Sequence, residues 1–166
     1  MSLRRRAADP ELRFGLGFDV HPRDESRQCW IGGVLFEDEP GLAGHSDADV
    51  VCHALADAML GAAGLGDLGQ HFPDTDPQYE GMPGTEILDR ARFLVRREGL
   101  DVRSCDCVVV ADRPAIGPMR EAIRERLAAV LGVEEGRVSV KATRPEGLGL
   151  SGDGAGCLAI VVLAAR

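Results

Sequence analysis

The chain has 166 residues, of which 45% are hydrophobic and 28% charged, and its formal net charge is −8. That length and apolar content suit one well-buried domain and leave little room for two. The acidic balance excludes a general nucleic-acid or anionic-membrane surface, because such partners are held by clustered Lys and Arg, so an anionic ligand here needs a metal ion, backbone N–H groups or a few placed cations.

In chain order, residues 1–11 read as a polar, frayed tail containing Arg4-Arg5-Arg6, and 12–166 as the single domain. Residues 12–21 and 28–36 alternate as strands, with Gly32-Gly33 marking a bend or bulge. A loop over 37–46 leads through Gly44-His45-Ser46-Asp47 into a long helix, Asp47–Gly64, with Ser46 or Asp47 as its N-cap. Residues 64–84, rich in Gly and Pro, are mostly irregular, and a loop of that length usually carries function. A second helix over Thr85–Glu98 stops at Gly99, a strand follows over 102–111, and a third helix over 118–131 ends at Gly132. Strands over 137–143 and 156–164 complete the chain.

Strands interleaved with helices predict an α+β domain: a sheet of about five strands with helices packed on one face. Three substantial helices leave the other sheet face without cover inside the chain, which points to burial against sister subunits. Five cysteines make no even disulfide framework, and Cys105-x-Cys107 reads as a pair of small buried hydrophobes. That cysteine usage fits a reducing cytoplasm, and a soluble, unexported protein is expected because no apolar stretch approaches the roughly 20 residues that span a bilayer.

Chemistry concentrates at Asp19-x-His21 and His53. Alternation along the first strand aims Asp19 and His21 at one face. On the long helix, Asp49, His53 and Asp57 recur at four-residue spacing and stack along one stripe. A carboxylate and two imidazoles make a three-ligand divalent-metal site with a fourth position free, as catalytic zinc requires. Asp57 is either an acceptor for the second imidazole nitrogen of His53 or a solvated carboxylate. His71 reads as a surface residue.

Six motifs stand in one order: Gly15-x-Gly17-x-Asp19-x-His21, Gly44-His45-Ser46-Asp47, His53-Ala54-Leu55, Gly64-Leu65-Gly66-Asp67-Leu68-Gly69, Phe72-Pro73-Asp74-Thr75-Asp76-Pro77 and Lys141-Ala142-Thr143. Together, from about Arg13 to the C-terminus, they closely resemble the 2-C-methyl-D-erythritol 2,4-cyclodiphosphate synthase family of the non-mevalonate isoprenoid pathway. The resemblance implies a homotrimer with sheets facing the centre and active sites between subunits. It implies conversion of 4-diphosphocytidyl-2-C-methyl-D-erythritol 2-phosphate to the cyclic diphosphate with loss of CMP. It further implies one Zn2+ per subunit at Asp19, His21 and His53, and Mg2+ or Mn2+ bridging the substrate diphosphate at Glu146. By the same resemblance, His45 and Ser46 sit near the reacting phosphate, Asp67 and Gly69 grip the methylerythritol hydroxyls, and the Phe72–Asp76 loop, with Asp74, closes over substrate. Residues Ala111–Gly117, including Pro114 and Ala115, are implied as the cytidine pocket of the neighbouring subunit.

The chain departs from the family pattern at three positions. Arg144 replaces a threonine credited with transition-state stabilisation, Ala115 replaces a lysine, and Asp153 replaces an arginine that lines the central cavity in relatives. Arg144 beside Thr143 is a candidate for the charge the lost threonine would have met, whereas Asp153 puts isoprenoid diphosphate binding in doubt. Two competing functions remain at this level: a zinc hydrolase using Asp57 or Asp67 as base, and a diverged trimeric metal- and nucleotide-binding protein without turnover.

Overall fold

Strand β1 runs over Leu12–Ile31, joining the expected 12–21 to the start of the expected 28–36, while Gly32-Gly33 forms a hairpin turn rather than a bulge and 34–36 open the next strand. The first half of β1 pairs antiparallel with β5 (Gly154–Ala165), from Leu12 against Ala164 to Pro22 against Gly154. Its second half pairs with β2 (Val34–Leu42), from Arg23 against Leu42 to Ile31 against Val34. The polar stretch after His21 carries no apolar alternation, so sequence alone reads it as loop; pairing with β2 holds it extended. The computed structural model describes residues 11–147 and 153–166, so the expected tail lies, apart from Glu11, outside the described residues.

The five strands lie in the order β2-β1-β5-β3-β4, with β3 over Leu100–Ala111 and β4 over Val138–Thr143. All neighbours are antiparallel except β3 and β4, whose parallel pairing needs a crossover, supplied by helix α4 (Arg120–Leu131). Helix α1 spans Val50–Ala63, a single turn α2 spans Leu68–His71, and α3 spans Gly84–Arg97. Gly64 and Gly132 end α1 and α4 with φ of 74° and 69°, the left-handed conformation that glycine adopts without a Cβ penalty. The expected single α+β domain, with a five-stranded sheet and helices against it, is what forms.

Two glycines decide how closely α1 approaches the sheet. A Cβ on Gly15 would lie 1.8 Å from the Ala58 carbonyl oxygen, and one on Gly17 would lie 2.0 Å from that of Ala54. The Gly-x-Gly of β1 thus lets the alanine side of α1 rest on strand backbone. Because His53 precedes Ala54 and Asp19 lies two residues beyond Gly17 on the same strand face, this contact also fixes their separation.

The N-cap of α1 is neither Ser46 nor Asp47. Asp49 caps it, its Oδ1 accepting from Val51 N–H and Cys52 N–H, both at 3.1 Å. The chain reverses at Ala48 (φ 59°), so the helix begins later than composition suggests. Asp49 is fully buried and also accepts from Gly32 N–H at 2.8 Å and Gly33 N–H at 2.6 Å, tying the β1–β2 hairpin to the helix. Asp47 accepts from Gly84 N–H at 2.7 Å and so anchors α3.

The opposite sheet face is apolar and bare. Phe14, Leu16 and Phe18 on β1 are 67%, 63% and 55% exposed, and Leu12, Val20, Leu158 and Ile160 extend the surface. Cys105 and Cys107 are buried hydrophobes, as expected, and all five thiols are free. Among the described residues no helix is long and apolar enough to cross a membrane.

Candidate metal centre

Asp19 aligns with Cys157 and His21 with Ala155 on β1, with their side chains on the α1 side of the sheet, where His53 projects from the first turn of the helix. One carboxylate oxygen, Asp19 Oδ2, lies 3.1 Å from His21 Nε2 and 3.1 Å from His53 Nδ1. One ligand atom from each of the three residues falls within 4.8 Å of the others.

The far nitrogens of both rings are committed. His21 Nδ1 lies 2.7 Å from the Ala43 carbonyl oxygen and donates to it, leaving the Nε2 lone pair toward Asp19. His53 Nε2 lies 3.0 Å from Ser46 Oγ, which also accepts from Ala48 N–H at 3.2 Å. With Nε2–H donating to Ser46, His53 presents Nδ1 to the same point. Three lone-pair-bearing atoms then converge, an arrangement that a proton or a cation must neutralise. One carboxylate and two imidazoles are a donor set suited to a divalent ion of the zinc class.

The electrostatics agree with the geometry. Burial pushes the Asp19 carboxyl upward, yet hydrogen bonds and charge from His21 and His53 hold it well below the usual carboxylate range. For His21, burial pulls downward, but the hydrogen bond and charge of Asp19 dominate and raise it. The pair is built to keep an anionic oxygen beside a positive centre.

A cleft of about 290 Å³ opens beside the centre, lined by Asp19, His21, Gly44, His45, Ser46, His53, Leu68, Phe72, Asp74, Tyr79 and Ile87. The structure thus brings together the three ligand candidates with His45, Ser46, Phe72 and Asp74. His45 Nε2 lies 3.0 Å from the Asp76 carbonyl oxygen, joining the loop before α1 to the loop after α2. Asp76 itself caps the following turn, accepting from Gln78 N–H at 3.0 Å. Tyr79 and Ile87 escaped the sequence reading. Tyr79 packs edge-on against Phe72 with ring centroids 5.4 Å apart, and its being the chain's single tyrosine in a long loop was the available clue.

Other expected residues lie outside the lining of this cleft. Asp67 is exposed and caps α2, accepting from Gln70 N–H at 3.0 Å, and Gly69 is exposed on that turn. Asp57 is not the acceptor for His53. It accepts from Leu68 N–H at 3.0 Å, fastening the start of α2 to α1, because the imidazole's second nitrogen is already taken by Ser46. Neither acid faces the metal centre as a hydrolase base would. His71 is half-buried and reaches the Leu65 carbonyl oxygen at 2.8 Å.

Thr143 ends β4, with Arg144 and Glu146 after it, and the paired neighbour β3 ends at Ala111 and leads into Pro114, Ala115 and Gly117. These two groups share one end of the sheet. Strand β4 is three places from β1, roughly 14 Å at ordinary strand spacing, and none of these residues lines the cleft of its own chain. Arg144 is exposed, and Glu146 takes a φ of 50°. Asp153 is exposed, with its carbonyl oxygen accepting from Arg23 N–H at 2.8 Å.

Residues 12–165 match the YgbB family. The chain is 47% identical over 152 residues to a 2-C-methyl-D-erythritol 2,4-cyclodiphosphate synthase of Trichlorobacter lovleyi, covering 92% of this chain and 97% of the relative. It is 50% identical over 157 residues to the enzyme of the same name from Symbiobacterium thermophilum, covering 93% and 100%. A solved 2C-methyl-D-erythritol-2,4-cyclodiphosphate synthase in a CDP-bound form superposes with a TM-score of 0.84 at 36% identity, over 91% of this chain and 99% of that one.

Proposed function

Because the chain belongs to the YgbB family, the 2-C-methyl-D-erythritol 2,4-cyclodiphosphate synthases of isoprenoid biosynthesis, we propose how its own residues carry that reaction. The substrate is 4-diphosphocytidyl-2-C-methyl-D-erythritol 2-phosphate. An oxygen of its 2-phosphate bonds to the β-phosphorus while the bond from that phosphorus to the α–β bridging oxygen breaks. CMP departs with that oxygen, and the ring diphosphate closes. The nucleophile is the substrate's own, so the protein's task is to bring two anionic groups into line and to meet the charge that develops.

Asp19, His21 and His53 hold Zn2+, one per chain, and Glu146 holds Mg2+ or Mn2+ from oxygen ligands; when bound, these ions supply Lewis-acid neutralisation of phosphate oxygens. The observation that carries the reading is the single Asp19 oxygen 3.1 Å from both imidazoles, beside a cleft walled by His45 and Phe72. His45, hydrogen-bonded to the Asp76 carbonyl oxygen, stands at the phosphate end and stabilises the developing charge. Ser46 lies beside it, Asp67 and Gly69 engage the methylerythritol hydroxyls, and the Phe72–Asp76 loop, with Asp74, closes over substrate and excludes water.

The active unit is a homotrimer, with the bare apolar faces of β1 and β5 turned to the centre. An exposed run of Leu12, Phe14, Leu16, Phe18 and Val20 on one strand supports this, since contiguous apolar patches on soluble proteins mark interaction surfaces. So does the remoteness of Thr143, Arg144 and Glu146 from their own chain's cleft: a neighbour's copy of them, with its Ala111–Gly117 pocket for cytidine, completes the site. The N-terminal boundary is drawn at residue 12, and the cytoplasm is the proposed location.

Phosphorus NMR of the purified protein with the family substrate and Mg2+ tests the reading. Equal amounts of CMP and cyclic diphosphate are expected. A linear hydrolysis product would indicate a zinc hydrolase, and tight CDP binding without turnover a binding protein.

A further inference from the structure

Arg27 does not line the cleft, yet it grips the loop that does. On β1, Asp24 aligns with Gly41 and Gln28 with the adjacent Pro40, so Glu25, Ser26 and Arg27 are extra residues and form a bulge. Asp24 Oδ1 closes it, accepting from Ser26 N–H at 2.9 Å and from the Ser26 hydroxyl at 2.6 Å. Gly41 makes room, since a Cβ there would lie 2.4 Å from the Gln28 carbonyl oxygen and 2.6 Å from that of Arg27. The half-buried Arg27 side chain then reaches the loop before α1, where Nη1 donates to the Gly44 carbonyl oxygen and Nη2 to that of Ser46.

Those two carbonyls bracket His45, and the second belongs to the residue whose hydroxyl oxygen lies 3.0 Å from His53 Nε2. We propose that Arg27 is a positioning residue for the metal centre. Its planar fork fixes Ser46 through two carbonyls, and Ser46 fixes the tautomer and ring angle of His53, so that Nδ1 faces Asp19 and His21. Hydrogen-bond partners behind metal-ligating imidazoles commonly set affinity in this way. A lysine cannot replace the fork, because a single ammonium does not reproduce two parallel, fixed N–H directions.

The inference rests on Asp19, His21 and His53 holding a divalent ion, and its test separates positioning from simple charge. The Arg27 guanidinium lies close enough to His21 to disfavour positive charge there. If charge alone mattered, removing it would tighten cation binding; if positioning matters, removal weakens it. Zinc affinity of the full chain is measured by competition with a chromogenic chelator for wild type, Arg27→Ala, Arg27→Lys, Ser46→Ala and the Arg27→Ala/Ser46→Ala double variant. A melting curve of each metal-free variant checks folding, and Arg27→Lys carries the test should Arg27→Ala fail to fold.

Arg27→Ala, Arg27→Lys and Ser46→Ala are each expected to bind zinc about 10-fold or more weakly, within the roughly 10–100-fold range for such partners. The double variant is expected to be no weaker than the weaker single, because both act through one route. Wild-type affinity in Arg27→Lys, tighter binding in Arg27→Ala, or additive losses in the double variant would overturn the proposal alone. A wild-type chain that takes up no zinc would overturn the metal reading as well.

Discussion

Replacing Gly17 with alanine tests whether the metal centre is built by the close approach of α1 to β1. The new Cβ would lie 2.0 Å from the Ala54 carbonyl oxygen, 2.8 Å from Ala58 N and 3.0 Å from the Ala54 carbonyl carbon. Ordinary carbon–oxygen contacts begin at about 3.3 Å, so the helix must withdraw by about 1.3 Å at this point. Both sides of the clash are backbone, and no rotamer change relieves it. The cost falls at the upper end of the overpacking range, about 3 kcal/mol, which lowers Tm by about 6–12 °C in a chain of this size. His53 sits one residue from the clash, and metal donors tolerate only about ±0.2 Å, so zinc affinity falls more steeply than stability, by at least about 10-fold. Calorimetry of the metal-free protein and chelator competition read the two effects separately. Gly61→Ala is the control: it lies in α1 with nothing within 4 Å of its Cβ, and it is expected to stabilise by roughly 0.5–1 kcal/mol. A Gly17→Ala protein that binds zinc as tightly as wild type would refute this account of how the site is assembled.

Leu16→Glu, at a side chain 63% exposed on the bare sheet face, is expected to convert a trimer into monomers by light scattering while leaving far-UV circular dichroism unchanged; an unaltered mass would remove the argument for that interface. Mixing inactive His53→Ala with inactive Glu146→Ala subunits and allowing reassembly is expected to restore part of the activity, because some sites then draw an intact half from each chain. Failure to recover any activity would speak against a shared site. Arg144→Ala is expected to lower kcat by about ten-fold, equivalent to about 1.4 kcal/mol of transition-state stabilisation, with Arg144→Thr recovering part of it. Unchanged kcat and KM would leave Thr143, His45 and the metals to meet that charge.

The candidate metal ligands were legible in the sequence because strand alternation and helix spacing report side-chain direction directly: Asp19 and His21 share a face, and His53 lies in the apolar helical run. The Gly-x-Gly before them was legible as a motif, but its reason, the helix backbone lying against it, was visible only in three dimensions. The cap was misplaced because Ser46, Asp47 and Asp49 are all competent capping residues, and the reversal at Ala48 that selects Asp49 leaves no mark in composition. Residues 22–27 looked like a loop because an irregular edge pairing, bulged at Arg27, needs no apolar alternation. The grip of Arg27 on Gly44 and Ser46 was hidden for the same reason. Asp57 was placed near His53 by helical spacing, which gives the face but not the partner; the loop backbone at Leu68 reached it instead.

The account stands most directly on whether Asp19, His21 and His53 bind one metal ion together. Elemental analysis after incubation with zinc and removal of the excess is predicted to find one zinc per wild-type chain and essentially none in His53→Ala. No bound zinc in the wild type, or an equal amount retained by His53→Ala, would contradict it.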